Sequence, residues 1–253
     1  MDDNFDSPKL LIESAQLGIA ELETEIESYV QQGRQNTGYE LVSQTGEFLG
    51  YVQFPTPIPA KISMQIRSIA GDLRDALDHA VYASSVSIFG GEPENTKFLV
   101  AETEEKILKE SKGKRFKAVH PDIVSFMIKE NACRSGNSAV FSLSQFRNRN
   151  THRAVLLANA GAGSIQLTKC KGIASILAMS EWRTTSHRLY FVRFSVTGPI
   201  FNLSLRPTIE VRAHPRFGTG DKSATSWLAS TLIEVGRICA EIEKRTHAIL
   251  RNK

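Results

Sequence analysis

Within IRSIAGDLRDALDHAVYASS, residues 66–85, an arginine and a histidine are separated by four residues, Arg74 and His79. An imidazole titrates near neutrality and can take the proton of a ribose 2′-hydroxyl. A guanidinium presents a charged fork to phosphate oxygens and can offset the charge that grows there during cleavage. These are the two groups that phosphodiester cleavage without a metal requires. Asp75 stands four residues before His79, so on a helix it shares that face and can orient the imidazole. The competing reading is an ordinary Arg74–Asp78 ion pair at i,i+4 beside an exposed histidine.

Geometry adds a condition. At helical spacing Arg74 and His79 point roughly 140° apart, so one helix does not aim both at one phosphate. A symmetric homodimer that brings two such helices together would complete the site, as would a second cluster in the same chain. His152 and Arg153 form that second cluster, as further base, acid or phosphate clamp. The R-x4–H spacing recurs at Arg115–His120 and Arg147–His152. The first of these runs into His-Pro across a loop and is set aside. A metal set of His79, His120, Asp122 and His152 has no recognisable ligand spacing, so no metal or cofactor is expected.

Charge is distributed unevenly along a chain of net charge +4. Residues 1–30 hold eight acidic residues against Lys9 alone, whereas residues 106–153 hold eleven basic residues against three acidic ones. That segment is the candidate polyanion surface, through Lys112, Lys114, Arg115, Lys117, Arg147 and Arg149. The plainer alternative is a solvated face that complements the acidic N-terminal helix.

The elements that must position these groups follow from apolar periodicity. Ile12, Ala15, Ile19, Leu22, Ile26 and Val30 predict a helix over 8–33. YELVSQTGEFLGYVQF predicts a hairpin turning around Gln44–Glu47. Ile66, Ile69, Ala70, Leu73, Leu77, Ala80 and Val81 form the stripe of the helix that carries Arg74. A short charged helix over 103–112, a KGKRFK loop and a helix over 121–131 come next. Asn137 or Ser138 caps a further helix that can reach Asn159, with Gly161 and Gly163 as its stop. SIQLTK, GIASILAM, HRLYFVRFSV and FNLSLRPTIEVRA have strand character, with Gly198–Pro199 as a hairpin turn between the last two. Trp227, Leu228, Thr231, Leu232, Val235, Ile238, Cys239, Ile242 and Ile249 mark a closing helix from about 222 to 251. The predicted fold is α+β: one domain over 1–253, with a helical block over 1–160, a small antiparallel sheet over 164–213 and the closing helix.

Two segments also carry a resemblance. LRDALDHAVY and LSQFRNRNTHRAVL resemble a family of uncharacterised bacterial and phage proteins with an LRxALDH helix and an LxxLxNxDKHRxL segment. Asn150, Thr151, His152 and Arg153 stand where that family has Asp-Lys-His-Arg, so His152 and Arg153 are retained. More loosely, Arg74, Asp75 and His79 resemble the R-x4–6-H motif of HEPN-type ribonucleases. This second resemblance implies a metal-independent endoribonuclease acting on RNA, of a toxin or phage-defence kind, that leaves 2′,3′-cyclic phosphate ends. A non-catalytic nucleic-acid-binding or scaffold protein is the alternative. The acidic start MDDNFDSPK lacks the pattern of a secretion signal, the three cysteines form no C-x-x-C pair, and no apolar run is long enough to span a bilayer. A cytoplasmic protein without membrane attachment is therefore expected.

Overall fold

A computed structural model describes residues 4–34, 36–94, 96–152, 159–168, 171–201, 204–212 and 222–252, the side chains of 148–152, 159, 164–168, 171–172, 198–201 and 204–206 excepted. The fold is α+β. The chain forms two compact units, one from Met1–Glu21, Met64–Leu156 and Pro215–Lys253, the other from Leu22–Ser63 and Leu157–His214.

The first unit is helical. It contains most of α1 (Asp6–Arg34) and α2 (Ala60–Phe89), then α3 (Glu104–Ser111), α4 (Pro121–Glu130), α5 (Ser138–His152) and α6 (Ala224–Arg251). The predicted stripes are buried: Ala15 and Ile19 on α1, Leu73, Leu77, Ala80 and Val81 on α2, Trp227, Leu228, Val235, Ile238 and Ile242 on α6. Each large aliphatic side chain buried this way contributes roughly 1.5–3 kcal/mol. Polar contacts fix how these helices meet. Ser14 bonds Asp72 at 3.0 Å, Thr246 bonds Ser84 at 2.7 Å, and Lys9 pairs with Glu243 at 2.8 Å. The N-terminal, Arg74-bearing and closing helices thus pack together. KGKRFK, expected as a loop, holds one 3-10 turn at Lys114–Phe116 that buries Phe116. No helix among the described residues is long and apolar enough to cross a membrane.

The second unit holds the strands. β1 (Thr37–Val42) and β2 (Glu47–Gln53) form the predicted hairpin, with Gly46 at φ +67° in its turn. They join β4 (Lys171–Arg183) and β5 (Arg188–Phe201) in an antiparallel sheet of order β1-β2-β5-β4. β3 (Asn159–Thr168) and β6 (Ser204–Arg212) make a separate two-stranded sheet. The strands of 164–213 therefore divide: β4 and β5 join the N-terminal hairpin, with Phe48 opposite Phe194 and Tyr51 opposite Tyr190, and β6 pairs with β3 alone.

Two expectations about turns are corrected. Gly198–Pro199 is not a hairpin turn, because β5 runs through it and pairs with β4 rather than β6. Between the pairs Lys171–Phe201 and Ile173–Val196, β5 spends five steps where β4 spends two. That bulge accommodates a proline, which has no N–H to give a ladder. Gly161 and Gly163 do not stop a helix either. α5 closes at His152, and both glycines belong to β3. An added Cβ would lie 2.6 Å from Arg212 Nε at Gly161 and 2.6 Å from Glu210 Oε1 at Gly163. The glycines make room for side chains of the partner strand.

Candidate functional site

Arg74 and Asp78 occupy one face of α2, one turn apart. Arg74 is 7% exposed. Its Nη1 donates to Asp78 Oδ1 and its Nη2 donates to the Phe98 carbonyl at 3.2 Å. The same Asp78 oxygen accepts the Phe98 N–H at 2.8 Å. An arginine and an aspartate thus hold both polar groups of one residue in the segment 96–102, which has no regular secondary structure. The i,i+4 ion pair is present, and the guanidinium proposed as a phosphate fork is occupied with it.

The acidic side of α2 faces α5. Arg147 Nη2 lies 2.5 Å from Asp75 and its Nη1 lies 3.6 Å from Asp78 Oδ2. Arg74, Asp78, Arg147 and Asp75 therefore form an alternating ladder of charge. His79 stands apart from it. Its ring is exposed, and its Nδ1 lies 2.7 Å from Ser7 Oγ on α1. Asp75, expected to orient the imidazole, is engaged by Arg147, and the contact made with His79 comes from Ser7.

The divergence of 74 and 79 on the helix is expressed as two neighbouring cavities. The first, of about 380 Å³, is lined by Arg74, Phe98, Lys106, Glu110, Arg115 and Ser144 among others. The second, of about 590 Å³, is lined by Ser7, His79, Tyr82 and Thr96 among others. Asp78, Lys97 and Arg147 line both. The lining of the first holds five cations, Arg74, Lys97, Lys106, Arg115 and Arg147, against Asp78, Glu102 and Glu110. Arg115 is paired with Glu110 at 2.5 Å and lies 4.9 Å over the Phe116 ring. Lys97 and Lys106 have no ion pair among the described residues. Their exposed ammonium groups are the positive charge of the site that no carboxylate among the described residues neutralises.

Of the predicted basic surface, Lys112, Lys114 and Lys117 are exposed on the stretch that follows α3. Arg147 serves the ladder. The side chains of Arg149 and His152 lie outside the described residues, as does all of Arg153. His120 is the N-cap of α4, where its Nδ1 accepts from Asp122 N at 3.3 Å. It lines a third cavity with Asp122 and Arg245, not the one that holds His79. Among the described residues, no three His, Cys, Asp or Glu side chains gather as metal ligands.

Sequence reasoning did not find Lys97, Tyr82, Thr96, Ser144 or the Ser7–His79 contact as parts of a site. Lys97 sits outside the basic window and Ser7 lies 72 residues from His79, so no local spacing marks either. No family model matches the chain, and no curated protein or solved structure matches it significantly.

Proposed function

We propose that the helical unit binds RNA through the cavity of Lys97 and Lys106 and the adjoining stretch bearing Lys112, Lys114 and Lys117. The observation that carries this is the contrast among the cations. The arginines at the cavity are neutralised by Asp75, Asp78 and Glu110, whereas Lys97 and Lys106 have no acidic partner among the described residues. An ammonium held at a cavity mouth without a carboxylate attracts phosphate and releases counterions on binding. The two segments that carry the family resemblance, LRDALDHAVY and LSQFRNRNTHRAVL, also meet here through Arg147 and the two aspartates. The test is fluorescence anisotropy with a twelve-nucleotide oligouridylate over a salt series. Lys97→Glu with Lys106→Glu is expected to weaken binding and to lower the salt slope by roughly 0.7 for each phosphate no longer neutralised. An affinity and slope unchanged by the double charge reversal would overturn the proposal.

A second reading, metal-independent endoribonuclease of the HEPN-like kind, rests on the exposed His79 ring in a cavity that also holds Lys97 and Arg147. For His79 to act as a base, its Nδ1–H donates to Ser7 Oγ and leaves the Nε2 lone pair for the 2′-hydroxyl proton. The 2′-oxygen then attacks phosphorus, the 5′-oxygen departs with a proton from solvent, and the products are a 2′,3′-cyclic phosphate and a 5′-hydroxyl. Because Arg74 is occupied, the charge on phosphorus oxygens falls to Lys97, or to a second copy in the symmetric homodimer that the sequence suggested. A toxin or phage-defence role follows from this reading by analogy alone. Cleavage that survives EDTA and disappears in His79→Ala supports it. Intact RNA after long incubation with wild type removes it and leaves binding in place.

A further inference from the structure

Two features of the second cavity, Tyr82 and Thr96, go unused by the binding of a phosphate backbone. Tyr82, one turn after Asp78 on α2, presents a ring that is 40% exposed on the cavity lining. Thr96 also lines the cavity, yet it is 8% exposed, and its hydroxyl oxygen, closed to solvent, has no hydrogen-bond partner among the described residues. Next to it in the chain, Lys97 lines both cavities and has no acidic partner among the described residues. The adjoining first cavity repeats the pattern with Ser144, 5% exposed and likewise unpartnered at its hydroxyl among the described residues. Buried hydroxyls are rarely left without a partner, and those that are call for a water or a ligand that completes them.

Resting on the RNA-binding reading, we propose that the second cavity receives the base and ribose of one nucleotide of single-stranded RNA. Its phosphate sits on Lys97 at the border with the first cavity. An aromatic face beside an ammonium is the combination by which single strands are held, since every base has a face to stack and every nucleotide a charge to neutralise. A volume of about 590 Å³ falls within the range of small-molecule sites, about 300–1,000 Å³, and admits one nucleotide but not a duplex. The carboxylates on the lining do not oppose the phosphate, because Arg74 and Arg147 already hold Asp78 and Asp75. Thr96 Oγ1, closed to solvent in the free protein, then meets a polar atom of the ribose or the base edge once the nucleotide displaces the side chains over it.

The test compares a twelve-nucleotide oligouridylate with a twelve-base-pair RNA duplex on the full chain. Wild type is expected to bind the single strand more tightly, and uridine 5′-monophosphate to displace it at concentrations where inorganic phosphate does not. Tyr82→Ala is expected to weaken single-strand binding about five- to a hundredfold, with duplex binding and its salt slope unchanged. Tyr82→Phe should retain the affinity, because the ring remains. Thr96→Val keeps the shape and removes the orphan hydroxyl, so the melting temperature stays or rises while single-strand affinity falls several-fold. Equal affinity for both RNAs, or single-strand binding indifferent to Tyr82→Ala and Thr96→Val, would overturn the nucleotide cavity and leave RNA binding standing. Wild type that binds neither RNA overturns both.

Discussion

Removing the Arg74 side chain would leave the Asp78 carboxylate, which is 12% exposed, with only Arg147 and the Phe98 N–H, and the Phe98 carbonyl without its donor. With Arg147 still beside Asp78, the loss stays at or below about 3 kcal/mol, read as a lower urea midpoint in Arg74→Ala. Arg74→Lys should recover part of the loss, since an ammonium can meet Asp78 but lacks the planar fork that reaches Phe98 as well. His79→Ala removes an exposed ring and its hydrogen bond with Ser7, so stability should move by less than about 0.5 kcal/mol. The two substitutions are therefore unequal probes of function. A lost activity in His79→Ala reports on chemistry, whereas the same loss in Arg74→Ala reports on folding unless the midpoint is measured beside it. The spacing of Arg74 and Asp78 was legible in the chain, because i,i+4 pairing is local. Their joint grip on Phe98, 24 and 20 residues onward, was not, since nothing local ties an irregular segment to a helix.

At the level of elements, α1 ends against an aromatic stack. Phe54 is fully buried between Tyr29, stacked at 4.7 Å, and Trp182, edge-on at 5.6 Å. A Cβ at Gly33 would come within 2.4 Å of the Phe54 ring. Gly33→Ala should therefore destabilise by about 1–3 kcal/mol through overpacking, although alanine is the better helix former. A thermal melt of the variant checks this. α6 offers a titration. Burial, with Glu243 adding to it, pushes the Cys239 thiol up to about 12 from an ordinary 9.0. The folded value lies above the unfolded one, so the stabilisation is full below the unfolded value and is lost as pH rises from there towards 12. Urea unfolding at pH 8 and pH 10 should show a loss at the higher pH, at most about 1.4 kcal/mol per pH unit, that Cys239→Ser lacks. The helices and the first hairpin were legible from periodicity and turn residues. The strand partners were not: glycine and proline usually punctuate, but here Gly161, Gly163 and Pro199 lie within strands, for reasons that sit on the partner strand.

For the molecule as a whole, α+β character followed from composition and pattern, while the grouping of segments did not. Which segments join depends on pairings far apart in the chain, such as Lys9 with Glu243 and the Phe5 ring at 6.2 Å from His247. That pairing of the first helix with the last has a consequence for manufacture. A ribosome adds about 5–20 residues per second, so the 190 or so residues between α1 and α6 take roughly ten to forty seconds. Throughout that interval α1 lacks α6 and has at most the segments already made, α2 first among them, to cover its apolar stripe, so the helical unit cannot close. Nascent chains stalled before residue 224 should accordingly be cut within α1 by a protease and be held by a chaperone such as a ribosome-bound holdase. Chains released with α6 in place should become resistant at the same sites. A fast-acting protease pulse on stalled and released chains measures it, and resistance of α1 in the stalled chain would mean that it finds cover without its last partner.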